Sequence, residues 1–121
     1  MVELRGDLGA GKTTLARYLL QALGVTGRIK SPTYAIVETY SGSQAGYGLV
    51  GSFLAISHFD FYRFNDPMEW EDAGFRDIFA TAGLKIVEWA AKAHPLLPPA
   101  DIVISIELRH DESRQVSITL K

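Results

Sequence analysis

Eight consecutive residues near the start of the chain, Gly6-Asp7-Leu8-Gly9-Ala10-Gly11-Lys12-Thr13, have the types and spacing that hold a phosphate. They satisfy the pattern G-x-x-x-x-G-K-(S/T) at every defined position. Glycines let successive backbone N–H groups turn inward around an anion without Cβ clashes. Lys12 can reach the β- and γ-phosphates of a nucleoside triphosphate, and the Thr13 hydroxyl can ligate Mg2+. A helix opening on Thr13 and Thr14 would aim its positive end at the same anion. The segment Gly6 to Thr14 is thus the candidate phosphate site, with ATP and Mg2+ as the expected nucleotide and metal. No N-K-x-D guanine-specificity element occurs in the chain, which disfavours GTP.

A phosphate loop does not hydrolyse anything alone; an acidic residue must hold the metal, and a group must orient the attacking water. Asp60 is the first candidate, at the end of an apolar strand-like run from Phe53 to Phe61, and its plainer reading is a solvated loop carboxylate or a partner of Arg63. Glu88 is the second, ending the compact run Leu84 to Val87, and taken by itself its plainer reading is an ordinary strand-end carboxylate. Both would then lie at the carboxyl edge of a sheet, where ligands collect in open α/β folds. Either can serve as a metal ligand, and Glu88 can also polarise water. Thr33, in Ser31-Pro32-Thr33-Tyr34, is a candidate sensor of the γ-phosphate, a role Ser31 could share, although Ser-Pro-Thr also makes an ordinary turn. His58, His94 and His110 lack metal-ligand spacing and read as structural or surface residues. Trp70 and Trp89 read as packing residues rather than base-stacking platforms.

These groups need elements to position them. Val2 to Arg5 reads as a strand leading into the loop. Leu15, Ala16, Leu19, Leu20 and Leu23 fall on one helical face, and Gly24 stands where a left-handed cap is expected. Tyr34 to Tyr40 reads as a strand. Ser41 to Ser52, with four glycines, reads as a loop or hairpin end. Asp66-Pro67-Met68-Glu69 has the order N-cap, first-turn proline and capping-box acid. A second short helix is expected over Arg76 to Ala82, a strand over Leu84 to Glu88, and helix from Trp89 towards Leu97 until Pro95 interrupts it. Ile102, Ile104, Ile106 and Leu108 alternate, as do Val116, Ile118 and Leu120, with a turn at His110 to Ser113 between them, which predicts an antiparallel hairpin. The interleaved order predicts an α/β fold, a P-loop NTPase-like three-layer sandwich around a mixed, partly antiparallel sheet.

At 121 residues the chain is expected to form one domain, residues 1–121. The absence of cysteine excludes disulfides, thiol catalysis and thiolate metal sites. The net charge of −2, with basic residues scattered, lacks the stripe that independent nucleic-acid binding needs. No apolar run is long enough to span a membrane and no basic-then-apolar leader is expected, and the lack of cysteine fits a reducing cytosol.

The blocks Gly6 to Thr14, Lys30-Ser31-Pro32-Thr33-Tyr34, His58-Phe59-Asp60-Phe61-Tyr62-Arg63, Asp66-Pro67 and Ile86-Val87-Glu88-Trp89 occur in an order that resembles the bacterial P-loop ATPases of tRNA threonylcarbamoyladenosine synthesis, the TsaE (YjeE) family. The first block is shared by many NTPases, whereas S-P-T-Y, H-F-D-x-Y-R and E-W together are far more specific. The resemblance implies a cytoplasmic ATPase working with a heterodimer of sugar-kinase-like (ASKHA) subunits, which modifies the adenosine beside the anticodon. It implies contact with tRNA only through that complex. It also implies that Lys12 holds phosphates, Thr13 ligates Mg2+, Asp60 and Glu88 form the acidic pair, Thr33 lies in a switch-like segment, and Trp89 stands beside the site. Three departures accompany it. Only five residues precede Gly6, so the fold is expected to lack the family's usual N-terminal strand and helix, which would help complete the adenine pocket. Ala90 and Ala91 follow Trp89 where the family often has Pro-Glu, and the stretch from Tyr40 to His58 is longer than usual. A small-molecule kinase and a nucleotide-dependent binding module with little catalysis are the rival functions. The kinase lacks an evident arginine-rich lid.

Overall fold

The computed structural model describes residues 1–32, 35–43 and 53–121. Six strands form a mixed sheet: β1 (Val2–Arg5), β2 (Val37–Ser43), β3 (Phe53–Asp60), β4 (Leu84–Glu88), β5 (Ile102–Leu108) and β6 (Arg114–Leu120). Their spatial order is β2-β3-β4-β1-β5-β6. The four inner strands run parallel, and β2 and β6 return antiparallel to β3 and β5 at the two edges. Parallel inner strands put the ends of β1, β3 and β4 on one edge, and the phosphate loop leaves that edge too.

Alternation along the strands divides the core into two layers. Ile56 of β3, Ile86 of β4 and Leu4 of β1 face helix α1 (Lys12–Ala22), packing against Ala16 and Leu20. Phe59 and Val87 point the other way, into an aromatic layer built on helices α2 (Pro67–Asp72) and α3 (Phe75–Ala80). There Phe59 meets the Phe75 ring edge-on at 5.5 Å, and Trp70 stacks on Phe79 at 5.5 Å. The expected three-layer arrangement is therefore present.

Local chemistry explains most boundaries. Helix α1 ends in a Schellman arrangement: Val25 N–H donates to Leu20 O and Gly24 N–H to Gln21 O, with Gly24 at φ 86°. Asp66 caps α2, its Oδ1 accepting from Met68 N–H at 2.9 Å, with Pro67 in the first turn. Three boundaries differ from expectation. Strand β2 starts at Val37, because Ile36 adopts φ 70° and donates its N–H to Pro32 O in a turn, and it runs on to Ser43. Helix α3 spans Phe75–Ala80 and stops where Thr81 turns extended. After Glu88 only a single 3-10 turn, Ala90–Lys92, forms, since Trp89 takes a left-handed conformation instead of a helical one. Among the described residues, no helix is long and apolar enough to cross a membrane.

Candidate active site

The loop from Gly6 to Gly11 links β1 to α1 and wraps over the sheet edge. Its glycines answer specific demands. A Cβ on Gly6 would lie 2.7 Å from Ile106 O, so only glycine lets the loop press against β5. Gly11 caps α1 at φ 108°, a conformation that other residues rarely adopt. Ala10 N–H donates to Asp7 O at 3.0 Å, closing the turn.

Lys12 is almost wholly buried, at 5% exposure. Its Nζ donates to Gly6 O at 2.5 Å and Asp7 O at 2.9 Å, and lies 4.3 Å from the centre of the Trp89 ring. Burial lowers its pKa, and the charges of Glu88, Asp60 and Asp7 work in the opposite direction. The ammonium is thus held over the loop among three acids.

Glu88, at the end of β4, is 1% exposed and has a partner on each oxygen. Thr13 Oγ1 donates to Oε1 at 3.0 Å, and His58 Nε2 stands 2.6 Å from Oε2. Asp60, at the end of β3, is 4% exposed and accepts from Tyr62 N–H at 3.0 Å, which fixes its carboxylate at the strand end. Tyr62 in turn packs beside Trp89 at 5.0 Å.

Lys12, Thr13, Thr14, Asp60, Glu88 and Trp89 line one cleft of about 470 Å3, together with Leu8, Gly9 and Gly11. Part of the phosphate loop thus shares a cleft with the acidic pair, whereas Asp7 and Ala10 line a separate hollow against Ile106, Glu107 and Leu108. Thr33 lies outside the described residues. A larger hollow, about 650 Å3, lies away from this chemistry, between β1 and the segment around Leu97 and Pro98. The phosphate cleft is the better candidate because charged, buried groups converge there.

Two participants were not expected. His58, read as structural or surface, is 1% exposed and touches Glu88 directly. A signal for it exists: His58 and Asp60 are two apart on one strand and so share a face. Arg114, at the start of β6, lines the cleft and donates from Nε to Ala10 O at 2.8 Å. No local pattern announces it, since its partner lies 104 residues earlier.

The donor set suits a small hard cation: a hydroxyl from Thr13 and carboxylates from Asp60 and Glu88, all oxygen. Among the described residues no group of three or more histidine, aspartate or glutamate side chains is placed to hold a metal ion by itself.

Similarity to known proteins extends over nearly the whole chain. The model of the family described as "Threonylcarbamoyl adenosine biosynthesis protein TsaE" matches residues 1–116. A protein named tRNA threonylcarbamoyladenosine biosynthesis protein TsaE from Haemophilus influenzae is 45% identical over 98% of this chain and 68% of its own length. The protein of that name from Bacillus subtilis is 34% identical, with the same two coverages. The crystal structure of Bacillus subtilis YdiB superposes with a TM-score of 0.70 at 29% identity, over 98% of this chain and 66% of that one. The chain thus spans about two-thirds of the length of these relatives.

Proposed function

Because this chain belongs to the TsaE family of threonylcarbamoyl adenosine biosynthesis proteins, we propose that it binds and hydrolyses MgATP in support of the threonylcarbamoyl modification of the adenosine beside the tRNA anticodon. The observation that carries the reading is the 3.0 Å hydrogen bond from Thr13 Oγ1 to Glu88 Oε1. It joins the hydroxyl of the phosphate loop to the acid at the end of the neighbouring strand, so both can act on one triphosphate.

In this reading the N–H groups of the loop and the N-terminus of α1 hold the phosphates. Lys12 exchanges its bonds to Gly6 O and Asp7 O for phosphate oxygens. Thr13 and Asp60 would hold Mg2+, which when bound offsets charge on the phosphates. Glu88 orients the attacking water and accepts its proton as the new oxygen–phosphorus bond to the γ-phosphate forms and the bond from that phosphorus to the β–γ bridging oxygen breaks, with ADP as the leaving group. Catalysis here is positioning and electrostatics, as expected for phosphoryl transfer. The partner is an ASKHA-fold heterodimer that performs the group transfer, and tRNA is met only through it.

The test is phosphate release from MgATP by the purified chain, with and without the two sugar-kinase-like subunits. Release that the subunits stimulate is the expected result. Release that ignores them removes the partner from the reading. Tight nucleotide retention without release marks a binding module instead.

A further inference from the structure

Glu88 is held from two sides, and only one of the two contacts belongs to the phosphate loop. Strands β3 and β4 are registered so that Asp60 pairs with Glu88 and His58 with Ile86. His58 therefore stands diagonally behind Glu88, on the same face of the sheet, and is sealed at 1% exposure. Its Nε2 lies 2.6 Å from Glu88 Oε2. A carboxylate can only accept, so Nε2 carries the proton of this hydrogen bond. The other ring nitrogen, Nδ1, is buried with no hydrogen-bond partner among the described residues. A buried polar atom left unpaired is costly, so the ring keeps this orientation through what Nε2 gains.

We propose that His58 is a positioning residue for Glu88: it takes Oε2 and thereby leaves Oε1 turned towards Thr13 and the phosphate site. This rests on the reading of Glu88 as the group that orients water. The carboxylate ends a strand, and three single-bond rotations separate its oxygens from the backbone. Thr13 must also serve the metal during turnover, and its hold on Oε1 is then shared. His58 is the contact that persists, since it lies behind the acid and away from the cleft lining. At 1% exposure the imidazole is closed off from the cleft, so its action passes through Glu88.

The proposal separates a nitrogen at the ε position from one at the δ position. In His58→Gln the side-chain amide can present an N–H near the place of Nε2. In His58→Asn it falls short, near the place of Nδ1. His58→Ala should lower kcat for ATP by about tenfold or more with little change in KM, as loss of an outer contact to a site carboxylate does. His58→Gln should recover most of that loss, and His58→Asn should not. Independently of turnover, nitrogen–proton correlation spectra of the imidazole in the parent chain should show the Nε2–H form, with its resonance displaced in Glu88→Gln.

A ring protonated on Nδ1 alone, or one blind to Glu88→Gln, overturns the proposal. So does a folded His58→Gln no more active than His58→Ala. If the parent chain hydrolyses no ATP under any condition, the proposed function fails, while the spectra still decide whether His58 holds Glu88.

Discussion

Asp60 and Glu88 are the last registered pair of β3 and β4, two carboxylates side by side at the ends of neighbouring parallel strands. Both are nearly sealed from solvent, and their stabilising contacts differ. Asp60 is pinned by the Tyr62 N–H at 3.0 Å, whereas Glu88 faces Thr13 and His58. In the proposed function the two carry different tasks. Glu88→Gln keeps shape and hydrogen bonding to Thr13 but cannot take a proton, so kcat should fall by about a hundredfold with nucleotide affinity retained. Asp60→Asn should instead raise the Mg2+ concentration needed for half-maximal turnover. Steady-state kinetics across ATP and Mg2+ concentrations separate the two. Equal, small effects from both substitutions would contradict the division of roles.

Lys12 offers a charge-based test. Burial lowers its pKa, so the ammonium loses its proton at a lower pH than an ordinary lysine. Binding of a triphosphate favours the charged form. Nucleotide affinity should accordingly weaken as pH rises through the lowered value, and earlier than for an exposed lysine. Lys12→Ala should cost about thirtyfold or more in affinity, since it deletes a buried charged partner of the phosphates. The variant should also lose the alkaline fall in affinity. Fluorescence of a bound ATP analogue, titrated across pH, measures both.

Much of this site is legible along the chain because its parts are local. The phosphate loop is contiguous, and Gly6, Gly11, Lys12 and Thr13 are dictated by backbone geometry and phosphate chemistry that a short window contains. Glu88 and Asp60 are visible as acids that terminate apolar runs. His58 looked like an interruption of such a run, yet the two-residue period of a strand puts it beside Asp60. Arg114 is a different case. Its contact with Ala10 depends on β6 pairing with β5 and on β5 lying next to β1. That is tertiary information, absent from any local pattern. The position of Trp89 beside the site is implied by the Glu88-Trp89 pair, but not its left-handed backbone, which shortens an expected helix, nor the placing of its ring against Lys12.

Arg114 should matter for the shape of the loop rather than for chemistry. Its Nε–H donates to Ala10 O, inside the phosphate loop, and its side chain stands 3.5 Å from the place a Cβ on Gly11 would take. Removing it frees one side of the loop. Arg114→Ala is expected to raise KM for ATP by about five- to tenfold, the loss of one charge-assisted hydrogen bond. Its kcat should change little. A fall in kcat with unchanged KM would instead place Arg114 at the transition state.

The turn before Arg114 carries an acid-sensitive contact. Asp111 Oδ1 accepts from Ser113 Oγ–H at 2.5 Å and from Ser113 N–H at 3.0 Å. These bonds, the hydroxyl first and the backbone second, hold the Asp111 carboxyl below its usual pKa. A carboxylate whose pKa is lowered by folding stabilises the folded form above its unfolded pKa. That contribution is lost as pH falls through the lowered value. The hairpin end should therefore loosen at acid pH before the sheet does, and exchange of the Ser113 amide should accelerate there relative to amides of β5. Asp111→Ala should show the faster exchange already at neutral pH, with no further acid-induced step at Ser113. Because Arg114 follows directly, the substitution should also raise KM for ATP modestly. Exchange at Ser113 that is independent of pH, after correction for the intrinsic rate, would mean that the Asp111 contact does not hold the turn.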